Sequence, residues 1–169
     1  MNMLRTLFAG LLALGSFSVS GQVAALPSTE STPLSVAIES TPFITEHKPN
    51  PHARYYMYFF TASWCSPCRA ITPKIIAEYP AMMRNRHMEL ILVSFDDTPE
   101  QALAYLRKYH APFAAIMYTS LQELALPGCP ADVNAIPHIV VVDNHGRLIY
   151  RGHALRYAEW KDRTSDTSH

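Results

Sequence analysis

Two cysteines stand three residues apart in Trp64-Cys65-Ser66-Pro67-Cys68-Arg69. Disulfide exchange needs one thiolate that attacks and a second thiol that releases the product. This pair supplies both. It follows an unbroken apolar run and opens a stretch with helical spacing. The free amide N–H groups and dipole of a helix N-terminus favour an anion. Cys65, placed at that end, is therefore expected to ionise more readily than a free thiol of pKa about 8.5. Cys68 lies deeper in the helix. Pro67 costs nothing there, because first-turn amides have no partner within the helix.

Other readings of the same residues are weaker. A structural zinc site needs four ligands, commonly as two pairs. The only other cysteine is Cys129, and there is no second C-x-x-C and no H-x-x-x-H. From a different functional class, Cys65, Cys68 and His138 could serve as a copper or zinc chaperone, since soft thiolates suit copper(I). A thiol peroxidase would not need the second cysteine. Cys129, in Pro127-Gly128-Cys129-Pro130, is read as a buried packing residue.

Three further features bear on the pair. Pro73 lies eight residues after Cys65 inside the expected helix, where proline costs about 3 kcal/mol unless the bend is needed. Ile136-Pro137 stands directly before an apolar run, a position suited to a cis bond. Asp96 and Asp97 end a second apolar run. In a parallel sheet that places them on the same functional edge as Cys65.

The elements that must hold these residues follow from patterning. Tyr55–Phe60, Met88–Phe95 and Ile139–Val142 are apolar without alternation, as strands buried on both faces are. Residues 65–85 place Ile71, Ile75, Ile76 and Tyr79 on one helical side. Thr98-Pro99-Glu100 starts a helix that runs to about Tyr109, with a capping residue, a first-position proline and a first-turn acid. Residues 111–134 are ambiguous, with helical spacing over 119–126. Asn144-His145-Gly146 turns the chain into a hairpin partner over 147–151, and a closing helix is expected over 154–161. The order predicts an α/β fold: a central mixed β-sheet, parallel at its centre, flanked by helices on both faces.

The chain has 169 residues, 49% hydrophobic and 17% charged, with acids and bases in balance. One packed domain fits, and wholesale disorder does not. No basic surplus or interleaved basic–aromatic patch points to nucleic acid. Residues 1–25 carry Arg5, the apolar run 7–14 and a small-residue end at Val23-Ala24-Ala25, the order of a cleavable secretory leader. The run is about half the length that spans a bilayer, so membrane attachment follows only if the leader stays uncleaved. Residues 26–51 read as a linker or N-terminal arm, with Leu34–Ile38 as a short edge strand. Residues 52–161 form the domain, and 162–169 a flexible tail. The expected location is periplasmic or otherwise extracytoplasmic, where disulfides persist.

W-C-x-x-C-[KR] after an apolar strand, Pro73 and Ile136-Pro137 together resemble the thioredoxin superfamily over about residues 53–155. Tyr58 to Arg69 and Phe95-Asp96-Asp97 are similar to nucleoredoxins and tryparedoxins. The leader and the 143–147 hairpin resemble exported TlpA-like thioredoxins. The resemblance implies a thioredoxin fold with no cofactor and no metal. Cys65 would be the nucleophile and Cys68 the resolving thiol of a redox-active disulfide. Trp64, Ile136 and Pro137 would contact substrate, with the Ile136 backbone pairing with an extended client segment. Thioredoxins usually carry a buried aspartate six residues before the first cysteine; here that residue is Phe59. Asp96 or Asp97 would then handle the proton of Cys68. The implied activity is reduction of disulfides in exported proteins, with a membrane thiol-electron carrier as reductant. A dithiol oxidase is the alternative direction.

Overall fold

The computed structural model describes residues 31–124, 126–156 and 159, and the side chain of Arg86 is not described. The expected leader (1–25), the tail (162–169) and half of the expected closing helix lie outside the described residues.

Five strands form one mixed sheet in the order β3-β2-β1-β4-β5: β1 (Tyr55–Thr61), β2 (Met88–Ser94), β3 (Ala114–Met117), β4 (His138–Asp143) and β5 (Leu148–His153). β1, β2 and β3 run parallel, whereas β4 and β5 run antiparallel to their neighbours. The three strands expected from apolar runs are present. Alternate side chains of each serve two cores, which is why the runs do not alternate with polar residues.

On one face, Met57, Phe59, Leu90, Leu92, Ile139 and Val141 pack against two helices, α2 (Ser66–Arg86) and α3 (Pro99–Tyr109), through Ile71, Ile75 and Leu106. On the other face, Tyr56, Tyr58, Phe60, Ile91 and Val140 pack under α1 (Pro33–Ser40) and the short α4 (Leu121–Leu124). α3 begins with a full capping box: Thr98 accepts the Gln101 N–H, and the Gln101 side chain reaches back to the start of the helix.

Two expectations are corrected. Leu34–Ile38 is not an edge strand but lies within α1. Thr32 caps that helix, accepting the Ser35 N–H at 3.1 Å, and Pro33 occupies its first position. Leu34 and Ile38, one helical turn apart, are both buried in the core. The segment is also not loosely held. The Ile44 N–H donates to the Ala115 carbonyl at 2.9 Å, and the Ala115 N–H donates to the Thr45 hydroxyl at 3.1 Å.

Strand β3 lies in the stretch that was ambiguous from sequence; it is only four residues long and half alanine. The helix expected over 119–126 is a 3-10 turn at Tyr118–Ser120 followed by α4. The chain after β5 enters a 3-10 turn at Ala154–Arg156.

The loop carrying Cys129 is pinned to the β4–β5 turn. Gly128 and Gly146 both have positive φ, and a Cβ on Gly128 would collide with the Gly146 carbonyl oxygen.

Candidate active site

The chain leaves β1 at Thr61 and reaches α2 within five residues, so Cys65 stands where strand gives way to helix. Cys65 is itself the N-cap of α2. Its backbone is extended, and its Sγ accepts the Cys68 N–H at 3.2 Å. A sulfur thus occupies the place where a serine or aspartate oxygen usually satisfies a first-turn donor. Pro67 has no N–H, which leaves that of Cys68 as the next donor available to the sulfur.

Cys65 and Cys68 are joined by a disulfide, with Cα atoms 5.2 Å apart. The two sulfurs are not equivalent. Cys65 is 6% exposed and Cys68 is fully buried. The pair rests in a small apolar nest of Ala62, Phe95 and Ile136. Phe95 is held there by stacking on Tyr118, with ring centroids 3.9 Å apart.

From the β4 side, the Ile136–Pro137 bond is cis, and the Ile136 carbonyl oxygen comes within 3.9 Å of Cys65 Sγ. Trp64 projects beside the pair and is 60% exposed. Sequence-predicted residues Trp64, Cys65, Cys68, Ile136 and Pro137 therefore converge on one sheet edge.

The two candidate acids separate. Asp96 is buried, and its carboxylate accepts the Ser63 N–H (3.0 Å), the Ser63 hydroxyl (2.6 Å) and the Ser94 hydroxyl (2.8 Å). Asp97 is exposed, and its backbone N–H rather than its carboxylate joins the capping network of α3. Phe59, at the usual position of a buried acid, is wholly buried in the core.

His138 opens β4, edge-on to Phe60, and its Nε2 is buried with no hydrogen-bond partner among the described residues. Burial, with help from the charge of Arg151, holds its imidazole below the ordinary value. Among the described residues no three His, Cys, Asp or Glu side chains come together as a metal site, so Cys65, Cys68 and His138 do not form a ligand set. Cys129 is free and mostly buried, and burial pushes its thiol well up.

Four residues near the site were not singled out from sequence. Ser63 is held at both ends, since its carbonyl accepts Arg69 Nη1 at 3.0 Å while its N–H and hydroxyl go to Asp96. Behind the pair, the Thr72 hydroxyl donates to the Cys68 carbonyl at 2.9 Å and sits 2.7 Å from the Tyr105 hydroxyl. Burial raises the Tyr105 phenol, a rise its hydrogen bond with the Thr72 hydroxyl opposes. Thr72, one turn after Cys68, was readable from spacing; Tyr105, on another helix, was not.

A five-stranded mixed sheet with helices on both faces and a cysteine pair at the β1–α2 turn define a thioredoxin-type dithiol protein. The Thioredoxin-like family model matches residues 53–148. The chain belongs to that family.

Probable nucleoredoxin 1 from Arabidopsis thaliana is 32% identical over 91 residues, covering 54% of this chain and 15% of that protein. The thiol:disulfide interchange protein HelX from Rhodobacter capsulatus is 30% identical over 92 residues, covering 54% of this chain and 48% of HelX. A solved tryparedoxin II from C. fasciculata superposes with a TM-score of 0.54 at 26% identity, covering 68% of this chain and 75% of that one. The chain spans less than half the length of the nucleoredoxin and HelX that it matches. Among the described residues no helix is long and apolar enough to cross a membrane.

Proposed function

We propose that this protein is a thiol–disulfide oxidoreductase that reduces disulfides of exported proteins. One observation carries the assignment of roles: the Cys65 sulfur caps α2 and accepts the Cys68 N–H, and Cys65 keeps 6% exposure where Cys68 keeps none. The less buried of the two cysteines is the one a helix N-terminus stabilises as an anion.

In the reduced protein the Cys65 thiolate attacks one sulfur of a client disulfide. A Cys65–client mixed disulfide forms and a client thiolate leaves. Cys68 then gives up its proton and attacks Cys65 Sγ, and the second client thiolate is released. The client gains two electrons, and the protein ends as the Cys65–Cys68 disulfide. Trp64, Ile136 and Pro137 form the surface on which the client lies, with the Ile136 backbone beside the reacting sulfur. Asp96 is preferred over Asp97 for managing the Cys68 proton, because it is the buried acid bonded to Ser63 of the reactive turn.

The reducing direction rests on the Ser66-Pro67 dipeptide, which carries no histidine to stabilise the thiolate strongly. A potential toward the thioredoxin end of the scale, about −270 mV, fits this composition better than one near −120 mV. The leader pattern in residues 1–25 supports export, and HelX bears the name of a thiol:disulfide interchange protein. In an oxidising compartment the disulfide must be re-reduced, a task for a membrane thiol-electron carrier.

The test is the reduction potential of the Cys65–Cys68 pair beside an insulin-reduction assay. A potential near that of strong oxidants, with no insulin reduced, would make the protein a dithiol oxidase. Cys68→Ser is expected to trap clients through Cys65, and Cys65→Ser is expected to trap none.

A further inference from the structure

On the α3 side of the active-site turn, opposite the Ile136–Pro137 loop, lies a cleft of about 250 Å³ lined by Ser63, Arg69, Gln101, Ala104, Tyr105 and Lys108. It is part of the same turn as the reactive pair: Ser63 is two residues before Cys65, and the Arg69 N–H donates to the Cys65 carbonyl at 3.1 Å. Its charge is one-sided. Arg69 and Lys108 are both cations, and no carboxylate lines the cleft. Of the acids nearby, Asp96 is buried and already accepts three donors from Ser63 and Ser94, while the exposed Asp97 and Glu100, which adjoin Gln101, do not line the cleft.

Arg69 is pre-positioned. One of its terminal nitrogens is fixed on the Ser63 carbonyl, which aligns the guanidinium beside the cleft and leaves further donors of the fork for a ligand. Lys108, exposed on the last turn of α3, has no carboxylate partner among the described residues, and its ammonium stands 5.7 Å from the Tyr109 ring. The Gln101 carbonyl oxygen is taken by the start of α3, which turns the amide's remaining hydrogen-bonding capacity to donation. Cations and donors therefore dominate the site, whose size suits one carboxylate with its methylene stem.

We infer that this cleft binds an acidic side chain of the client, close in sequence to the cysteine that Cys65 attacks. The inference rests on the reductase reading above. β1 and β2 end, and β4 begins, side by side on the active edge, with Phe60 opposite His138 and Thr61 opposite Ser94. Two strand spacings are about 10 Å, which an extended segment covers in about three residues. A client lying against the Ile136 backbone on one side thus brings a glutamate or aspartate about three residues from its cysteine to the Arg69–Lys108 side. The cleft would sort clients by charge rather than set their chemistry.

The experiment uses reduced protein in single turnover. Three synthetic heptapeptides carry one cysteine as a pyridyl disulfide, with Glu, Gln or Lys three residues from it. Release of the neutral pyridinethione gives the second-order rate constant. The Glu peptide is expected to react about fivefold faster than the Gln peptide at low salt, the scale of one or two exposed ion pairs, and the Lys peptide more slowly than either. The Glu-to-Gln ratio should shrink toward one at high salt. Lys108→Gln should lower that ratio and Lys108→Glu should bring it below one. Lys74→Glu, which changes an exposed α2 charge outside the cleft, should leave it unaltered. Equal rates for all three peptides overturn the inference and leave the reductase reading standing. So does a ratio that survives Lys108→Glu, or one that Lys74→Glu lowers as much. Failure of every peptide to release pyridinethione overturns the reductase reading, and this one with it.

Discussion

Asp96 and Ser63 are joined twice: one carboxylate takes both the backbone N–H and the hydroxyl of Ser63, at 3.0 and 2.6 Å. Ser63 precedes Trp64 and Cys65, so this acid from the end of β2 sets the path by which β1 enters the reactive turn. The Arg69–Ser63 bond closes the same loop from the helix side.

Asp96→Asn replaces one acceptor oxygen with an NH2 group facing donors. It is expected to cost about 1–3 kcal/mol, the penalty of a buried polar group left unpaired. Ser63→Ala, which removes one hydroxyl bond and keeps the N–H contact, is expected to cost about 1 kcal/mol. Urea denaturation of the two variants gives the order. A larger loss for Ser63→Ala would contradict the clamp described here.

Reduced, folded protein should be alkylated fast at one cysteine only. Cys65 is the reachable, helix-capping thiol, Cys68 is fully buried, and burial holds the Cys129 thiol high and un-ionised. Mass spectrometry after a short iodoacetamide pulse at neutral pH is expected to show label on Cys65, with the other two sites reacting after denaturation. An inert Cys65 would remove the basis of the proposed mechanism.

Tyr105 and Thr72 should be energetically coupled. The Thr72 hydroxyl donates to the Cys68 carbonyl, so the Tyr105 hydroxyl must donate to Thr72. Tyr105→Phe and Thr72→Val are each expected to destabilise by about 1 kcal/mol. A double-mutant cycle should give a coupling of at least about 0.5 kcal/mol. Additive losses would show that the contact contributes nothing.

His138 gives the fold a pH dependence of known sign. Its folded-state value lies below the ordinary 6.5, chiefly through desolvation, with Arg151 and His153 adding to the shift and Asp132 opposing it. Between the folded value and 6.5 the unfolded chain binds more protons, so this contribution is full above 6.5 and lost as pH falls through that window. Denaturant midpoints at pH 7 and pH 5.5 should differ less for His138→Gln than for the wild type. An unchanged difference would assign the acid sensitivity to other groups.

The site was largely readable from the chain because its parts are local or sit at strand ends. Cys65, Cys68 and Trp64 are contiguous, and Ile136-Pro137 abuts a strand that its own composition reveals. The supports around it were not readable. Asp96 drew attention as a proton carrier, yet its three bonds depend on the β1–β2 register, and Tyr105 meets Thr72 across two helices. The fold failed to show where local signals conflict. Ser35-Val36-Ala37-Ile38 suggests a strand, but the Thr32-Pro33 start and the Leu34/Ile38 spacing prevail as a helix. Ala114–Met117 is too short and too rich in alanine to announce β3.

Helix α1 has a practical consequence for producing this protein. A gene truncated to begin just before β1, near residue 52, would remove Leu34 and Ile38 from beneath Tyr56 and Tyr58 and lay one side of the sheet open to water. Each of those two aliphatic side chains contributes about 1.5–3 kcal/mol when buried. Recombinant versions should therefore start upstream of Thr32, and shorter ones are expected to accumulate as inclusion bodies.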